Sequence, residues 1–442
     1  MTAIAGRRTR RTVIGVAVAL ALVSMASTMF AVGFVTLSNS QEGESVGVDT
    51  RPRVQFPVTP NALVALTDES GRLASLVVMT LLPEGQGGSI VTVPVNADAT
   101  AGFGEQRRPL DESFDAANVD GLLASVEEML SITVQRAEVV DARELEAILP
   151  EIGVSQFVAP GDVVDTRGGG GVIATAGPHS FTLTEMVSIL AAIDDEVEID
   201  ASHPIDVAVW SSLVRSAPVS VPPEPIPLDA LGNPAEPTSV AELVTRLWQG
   251  EVAVRELLTL PTAEVENPTQ VDVVLIDRRD STLVFSQVSP ALVSAPNTGL
   301  KARIVANFTD EQLATTGELY DSSSALVIEL IGRLLFLSGN VVSVDTAATG
   351  APAVTIIEVA DERQLQETID AAKTLFGEAE VRVSKAVLEG VDTQVTLGVS
   401  YLAHELARGG SAATPVDTSI VESTLPEAPS STDIPGTVAG DG

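Results

Sequence analysis

Four arginines within five positions, Arg7, Arg8, Arg10 and Arg11, precede twenty-five residues without a charge, Val13 to Leu37. At 1.5 Å rise per residue that run spans roughly 37 Å as a helix, enough to cross a hydrocarbon core of about 30 Å with some tilt. Arginine on one flank and none on the other orients it, with 1–12 cytoplasmic and everything after Leu37 outside. A cleaved signal peptide would have an apolar core of about 7–15 residues ending at small residues. This run is longer and shows no clear cleavage site. The expectation is a single-pass cell-membrane protein with an uncleaved anchor over 13–37.

Charge agrees with an outside location. The chain carries -35; the anchor region, 1–37, contributes +4, so residues 38–442 carry -35 minus 4, or -39. A surface so acidic repels nucleic acid, which excludes it as a partner. There are no cysteines, hence no disulfides and no thiolate metal sites. The length leaves room for two or three domains outside the membrane.

Residues 38–60 carry Pro52, Pro57 and Pro60 and read as a stalk. From Ala62 the pattern is globular. Ala62–Leu66, Leu73–Leu82 and Ser89–Pro94 read as three strands. Apolar residues at helical spacing over Glu112–Ser131 predict a helix, Ile132–Val140 a strand, and Ala142–Leu149 a short helix. Ser155–Asp165 and Gly171–Thr175 read as strands around a Gly168–Gly171 turn, followed by helices at Thr182–Ala192 and Ile205–Ser216. Residues 218–237 hold seven prolines and read as an extended loop. Helix and strand alternate again through Val240–Leu258 and Val271–Ile276.

A second unit starts near Gly299. Lys301–Asn307, Asn340–Val344, Val354–Val359, Val381–Ser384 and Thr393–Gly398 read as strands. Ser322–Leu337 reads as a helix capped by Gly339, and Asp361 with Gln364 as a capping box opening another, which Gly377 ends. The tail, 408–442, lacks a periodic apolar face and should be disordered. The fold class expected is α/β, with one transmembrane helix, a large mixed α/β domain over 61–296 and a smaller α/β domain over 299–403.

Several segments resemble the LytR-CpsA-Psr family of bacterial cell-envelope proteins. Ser89 to Pro94 (SIVTVP) looks like the family's strand ending in Ile-Pro. Leu122 to Glu146 looks like its helix, turn and strand ending in an acidic residue, here Asp141. Asp162 to Leu183 looks like the hairpin before its "Leu-Thr-Gly" helix, and Ala208-Val209-Trp210 sits where a helix follows. Ile304 to Thr309, Gly339 to Asp345 and Leu397 to Tyr401 resemble the LytR C-terminal domain that many actinobacterial members carry. The resemblance implies a membrane-anchored protein that transfers wall polymer from a polyprenyl-diphosphate carrier to peptidoglycan with Mg²⁺.

The family's functional residues do not carry over. Members follow Ile-Pro with Arg-Asp; here Val95 and Asn96 follow Pro94. Their metal-ligating Asp on the first strand matches a place near Asn61. Their paired arginines match Leu190 to Glu196, which holds three carboxylates. A charge-assisted hydrogen bond is worth about 1.5–3 kcal/mol. Two like charges about 6 Å apart at an effective dielectric of 20 repel by roughly 3 kcal/mol. The expectation is a catalytically silent relative with no catalytic residue and no cofactor. It would bind or scaffold polyprenyl-linked glycopolymer, peptidoglycan or an active paralogue. The alternative is an active Mg-dependent phosphotransferase.

Other candidates are weaker. Arg107 and Arg108 form a basic pair that would suit an acidic or phosphorylated polymer, although such pairs more often only solvate a loop. Asp194, Asp195 and Glu196, with Glu198 and Asp200, offer oxygen ligands for Ca²⁺ or Mg²⁺, but a solvated acidic loop is the commoner meaning among sixty acidic residues. Gly168–Gly171 is no phosphate loop, since no Gly-Lys-Ser/Thr follows. His179, His203 and His404 match no metal spacing.

Overall fold

A computed structural model describes residues 51–100, 106–167, 170–194, 203–216, 225–230, 232–261, 271–317 and 319–409. The expected cytoplasmic segment and membrane helix, and the expected tail from 410 on, lie outside these residues. Among the described residues no helix is long and apolar enough to cross a membrane. The chain divides into two compact units, Met1–Arg53 and Val54–Gly442. The second is a mixed α/β structure with two five-stranded sheets.

The first sheet is built from β1 (Asn61–Thr67), β2 (Leu73–Leu81), β3 (Gly88–Thr92), β4 (Ala137–Val140) and β9 (Val252–Glu256). Their order is β9-β3-β2-β1-β4. β2 is antiparallel to β1 and β3, while β4 is parallel to β1 and β9 to β3. All seven residues of β1 are buried, as a central strand covered on both faces requires. Ala62, Val64 and Leu66 face a core shared with α2 (Ala142–Ile148), α3 (Leu183–Leu190), α4 (His203–Arg215) and α5 (Val240–Leu247). Leu63 and Ala65 face a second core with α1 (Val119–Leu130) and α6 (Arg278–Val288).

A double hairpin flanks the first core. β5 (Ser155–Ala159) pairs with β8 (Gly177–Phe181), and inside it β6 (Val163–Val164) pairs with β7 (Val172–Ala174). The expected single strand over 155–165 is thus broken, and β8 was not expected. Short β10 (Thr259–Pro261) pairs with β11 (Val274–Ile276). The helix expected from Glu112 starts only at Val119, where the Asn118 side chain accepts the N–H of Gly121. The strand expected over 132–140 begins at Ala137.

The second sheet orders as β13-β12-β16-β14-β15, from β12 (Lys301–Val305), β13 (Asn340–Asp345), β14 (Thr355–Val359), β15 (Ala379–Val383) and β16 (Thr393–Thr396). α7 (Ser323–Phe336), α8 (Leu365–Phe376) and α9 (Val399–Ala407) share its core. α7 does not end on a left-handed Gly339. Ser338 takes that conformation, at φ 60°. Ser338 N–H reaches Leu335 O at 2.9 Å and Gly339 N–H reaches Leu334 O at 2.8 Å, a Schellman ending one residue earlier than expected. Asp361 and Gln364 form no capping box; a 3-10 turn over Glu362–Gln364 precedes α8, with Asp361 accepting from Arg363 N.

Among the longer helices, α6 and α9 were not expected. α6 joins the cores: Val284 and Phe285 pack beneath the first sheet and Leu283 in the core of the second. Arg279 also lies 3.8 Å from Glu329 on α7.

Candidate functional site at the carboxyl edge of the first sheet

β1, β3, β4 and β9 run the same way, so Thr67, Thr92, Val140 and Glu256 end along one edge. Open α/β sheets bind ligands outside the carboxyl ends of their strands. Arginines reach this edge from positions far apart in sequence. The Asp68 carboxylate, fully enclosed, accepts Ser70 N (2.8 Å), Ser70 Oγ (2.7 Å), Arg72 N (2.8 Å) and Arg72 Nε (3.2 Å). Arg167, from the tip of the β6–β7 hairpin, lies 3.7 Å from Asp68 and grips Asp165 through two bonds of 2.6 Å. Burial alone would raise Asp68, but hydrogen bonds from Ser70 and Arg72 outweigh it and hold the carboxyl below its usual range. Asp165 is lowered chiefly by its bond from Arg167.

Beside this clamp, α4 brings a polar stripe to the sheet. His203, Asp206 and Trp210 follow at i, i+3 and i+7 on one helix face. His203 Nε2 lies 3.9 Å from Glu256 at the end of β9, and Asp206 faces Ser75 on β2. Burial pushes Asp206 up to about 8, which the Ser75 hydroxyl only partly offsets, and pushes His203 down to about 4. Burial thus favours the uncharged form of both. Burial, and then Asp280, raise Glu256. Asp280 itself is raised by burial while accepting Leu258 N at 2.9 Å.

On the other side of the sheet, Asn96 Nδ2 donates to Asp272 at 3.2 Å. Arg107, one of the two basic candidates, is bound to Asp98 at 2.5 Å. Arg108 is exposed, and its backbone N–H meets Thr100 Oγ1 at 2.9 Å. The pair therefore presents no joint cationic face: one guanidinium is already neutralised. Asp194 closes the segment after α3, while Asp195 and Glu196 lie outside the described residues. Among the described residues no group of three His, Asp or Glu could hold a metal ion. Asn61, near the place where the resemblance expects a metal-ligating Asp, is wholly buried at the opposite edge of the sheet, where it donates to Thr133 O and accepts Gln135 N, each at 2.9 Å. It ties β1 to the approach of β4 and does not fit a Mg²⁺ ligand. His179 meets Thr175 O at 2.6 Å and stacks on Phe181; His404 packs against Gly377.

Sequence reasoning missed Arg72, Arg167 and Asp206. Arg72 lies in a turn and Arg167 beside four glycines, and nothing in either stretch marks a shared partner. Asp206 had one signal, a carboxylate one turn after a histidine on a helix otherwise rich in apolar residues.

No family profile and no curated protein sequence matches the chain. Among solved structures it is similar to TagT bound to LIIa-WTA, at 15% identity and a TM-score of 0.36 over 53% of this chain and 91% of that one. A LytR-Csp2A-Psr enzyme from Actinomyces oris gives 13% and 0.36 over 53% and 94%, and B. subtilis TagV gives 12% and 0.35 over 51% and 94%. At such identities these likenesses transfer no residue's role.

Proposed function

We propose that the chain is a membrane-anchored, extracytoplasmic cell-envelope protein that binds or scaffolds wall polymer without transferring it. The segment resemblances to LytR-CpsA-Psr proteins, the arginine-flanked apolar run and the -39 charge of residues 38–442 support this reading. Its catalytic silence is supported by one observation: the guanidinium groups of Arg72, Arg107 and Arg167 are already paired with carboxylates. Asp68 takes Arg72 and faces Arg167, Asp165 takes Arg167, and Asp98 takes Arg107. A diphosphate would have to displace these carboxylates beside Glu256 and Asp280. It would do so without the metal that Asn61 cannot hold.

The second reading, an active Mg-dependent phosphotransferase, is favoured by Arg72 and Arg167 converging at the edge where a diphosphate would need them. A transfer assay separates the two. Full-length protein in nanodiscs is mixed with labelled carrier-linked glycopolymer, Mg²⁺ and peptidoglycan sacculi. The silent reading expects label to cosediment with sacculi only while protein is present, and to be released by detergent. Covalent label resistant to boiling in detergent overturns it.

A further inference from the structure

β12, β13 and β16 run in parallel, so Lys301, Asn340 and Thr393 begin along one edge of the second sheet. The segments leading into β12 and β13 are bonded to each other there. Gly299 N–H donates to Ser338 O at 3.0 Å, Asn340 N–H to Leu300 O at 2.9 Å, and Asn297 Nδ2 to Gly339 O at 2.8 Å. Three large apolar side chains stand out from this tip: Phe336 is 89% exposed, Leu337 55% and Leu300 45%. Phe336 is the most exposed large apolar side chain among the described residues. Single apolar residues scattered over a surface are ordinary, but three on adjoining segments mark a contact surface.

Charge avoids the same tip. Residues 281–300 and 334–344 carry none, in a chain with sixty acidic residues. The cations beside it, Lys301 and Arg278, are exposed, and Arg278 borders Leu335 and Asn297. Carboxylates at this edge are engaged: Asp392 accepts Lys301 N at 2.9 Å, and Glu389 accepts Gln55 Nε2 at 3.1 Å. An apolar tip with cations at its rim suits the surface of a bilayer, where apolar side chains pass the headgroups and long cationic ones stay among them.

The place of the tip selects that partner. The chain arriving from the arginine-flanked apolar run joins this unit at Val54, whose carbonyl accepts Glu389 N at 3.3 Å, and Phe56 lies against Gly390. Two residues on, Asp392 N–H donates to Lys301 O at 2.9 Å. The point of entry and Leu300 therefore share one edge of the sheet. We propose that this tip docks on the bilayer surface, with Phe336, Leu337 and Leu300 set into the boundary between headgroups and acyl chains. The proposal rests on the anchor of the proposed function, which brings a bilayer to this edge; the choice of side chains rests on the tip alone.

The chain has no cysteine, so a nitroxide can be attached at one introduced cysteine at a time. Full-length protein carrying F336C or L300C, or the controls T349C and V158C, is reconstituted into phosphatidylcholine nanodiscs. Power saturation then measures each label's collisions with oxygen, which concentrates among acyl chains, and with a nickel chelate, which stays in water. Labels at 336 and 300 should lose nickel collisions and keep oxygen collisions. Labels at 349, exposed beyond the opposite end of β13, and at 158, exposed on the double hairpin, should keep both. Adding F336S and L337S should return nickel collisions to the label at 300, with near-UV circular dichroism confirming the fold. Continued nickel exclusion at 300 in that variant overturns the proposal, as does full nickel access at 336. Loss of both kinds of collision at 336 also overturns it, since that marks a second copy or another protein over the tip. Failure of the protein to co-elute with nanodiscs overturns the anchor reading and this proposal with it, whereas co-elution with a nickel-accessible tip overturns this proposal alone.

Discussion

Behind the second sheet, Glu405 is wholly enclosed and its oxygens are all met. Arg333 reaches them at 2.5 and 2.7 Å, Tyr320 donates at 3.1 Å, and Arg333 also reaches the Tyr401 hydroxyl at 3.3 Å. At the edge of the first sheet, His203 and Trp210 are enclosed to a similar degree, and their Nε2 and Nε1 atoms make no such bonds. A closed polar network fixes one arrangement and leaves no valence for a ligand. An open one costs stability that the fold has to recover elsewhere. The contrast assigns the Arg333–Glu405 cluster to holding α7 against α9 and leaves the α4 stripe only partly bonded.

The largest effect that bears on this contrast is expected from Glu405→Gln. Removing one partner of a buried pair strands the other charge, so the variant should lose about 3–5 kcal/mol. Urea unfolding should show this as a lower midpoint at unchanged slope. A loss below about 1 kcal/mol would mean the cluster is not closed. Asp68→Asn comes next. It should cost about 1.5–3 kcal/mol by weakening charge-assisted bonds from Arg72. It should also relieve the charge facing Arg167 and create measurable inorganic pyrophosphate binding by calorimetry. A variant that still ignores pyrophosphate would show that neutralised arginine is not what silences the edge.

Asp206→Asn should act through pH. A carboxyl raised to about 8 in the folded state keeps a proton that the unfolded chain releases near its ordinary value. Its penalty is absent below about pH 4 and grows as pH rises through the folded value. Wild-type stability should therefore fall relative to the variant between pH 5 and pH 8 in paired urea titrations. A constant difference would place Asp206 in an ordinary solvated setting. The smallest effect belongs to Arg108→Ala, within about 0.5 kcal/mol in thermal melts, because its side chain is exposed.

Much of the strand pattern was legible. β1 to β3 read directly because buried strands are continuous runs of Val, Leu and Ile bounded by turn residues. α6 was not legible. Its sequence, Arg-Arg-Asp-Ser-Thr-Leu-Val-Phe-Ser-Gln-Val, buries Asp280, Ser281, Thr282 and Ser286 alongside Leu283 and Phe285. A helix covered on two sides has no polar face to set its period. The end of α7 was misplaced by one residue because a glycine stood ready at 339, although Ser338 takes the left-handed turn. At the site, the basic pair Arg107 and Arg108 was readable as neighbours in the sequence. The arrival of Arg72 and Arg167 on one edge was not, because it depends on a hairpin folding back across a hundred residues.

The most direct measurement is calorimetric binding of undecaprenyl diphosphate to the full-length protein in nanodiscs, with and without Mg²⁺. Arg72, Arg107 and Arg167, held by Asp68, Asp165 and Asp98, predict no metal-dependent binding. Micromolar binding that appears only with Mg²⁺ would contradict it.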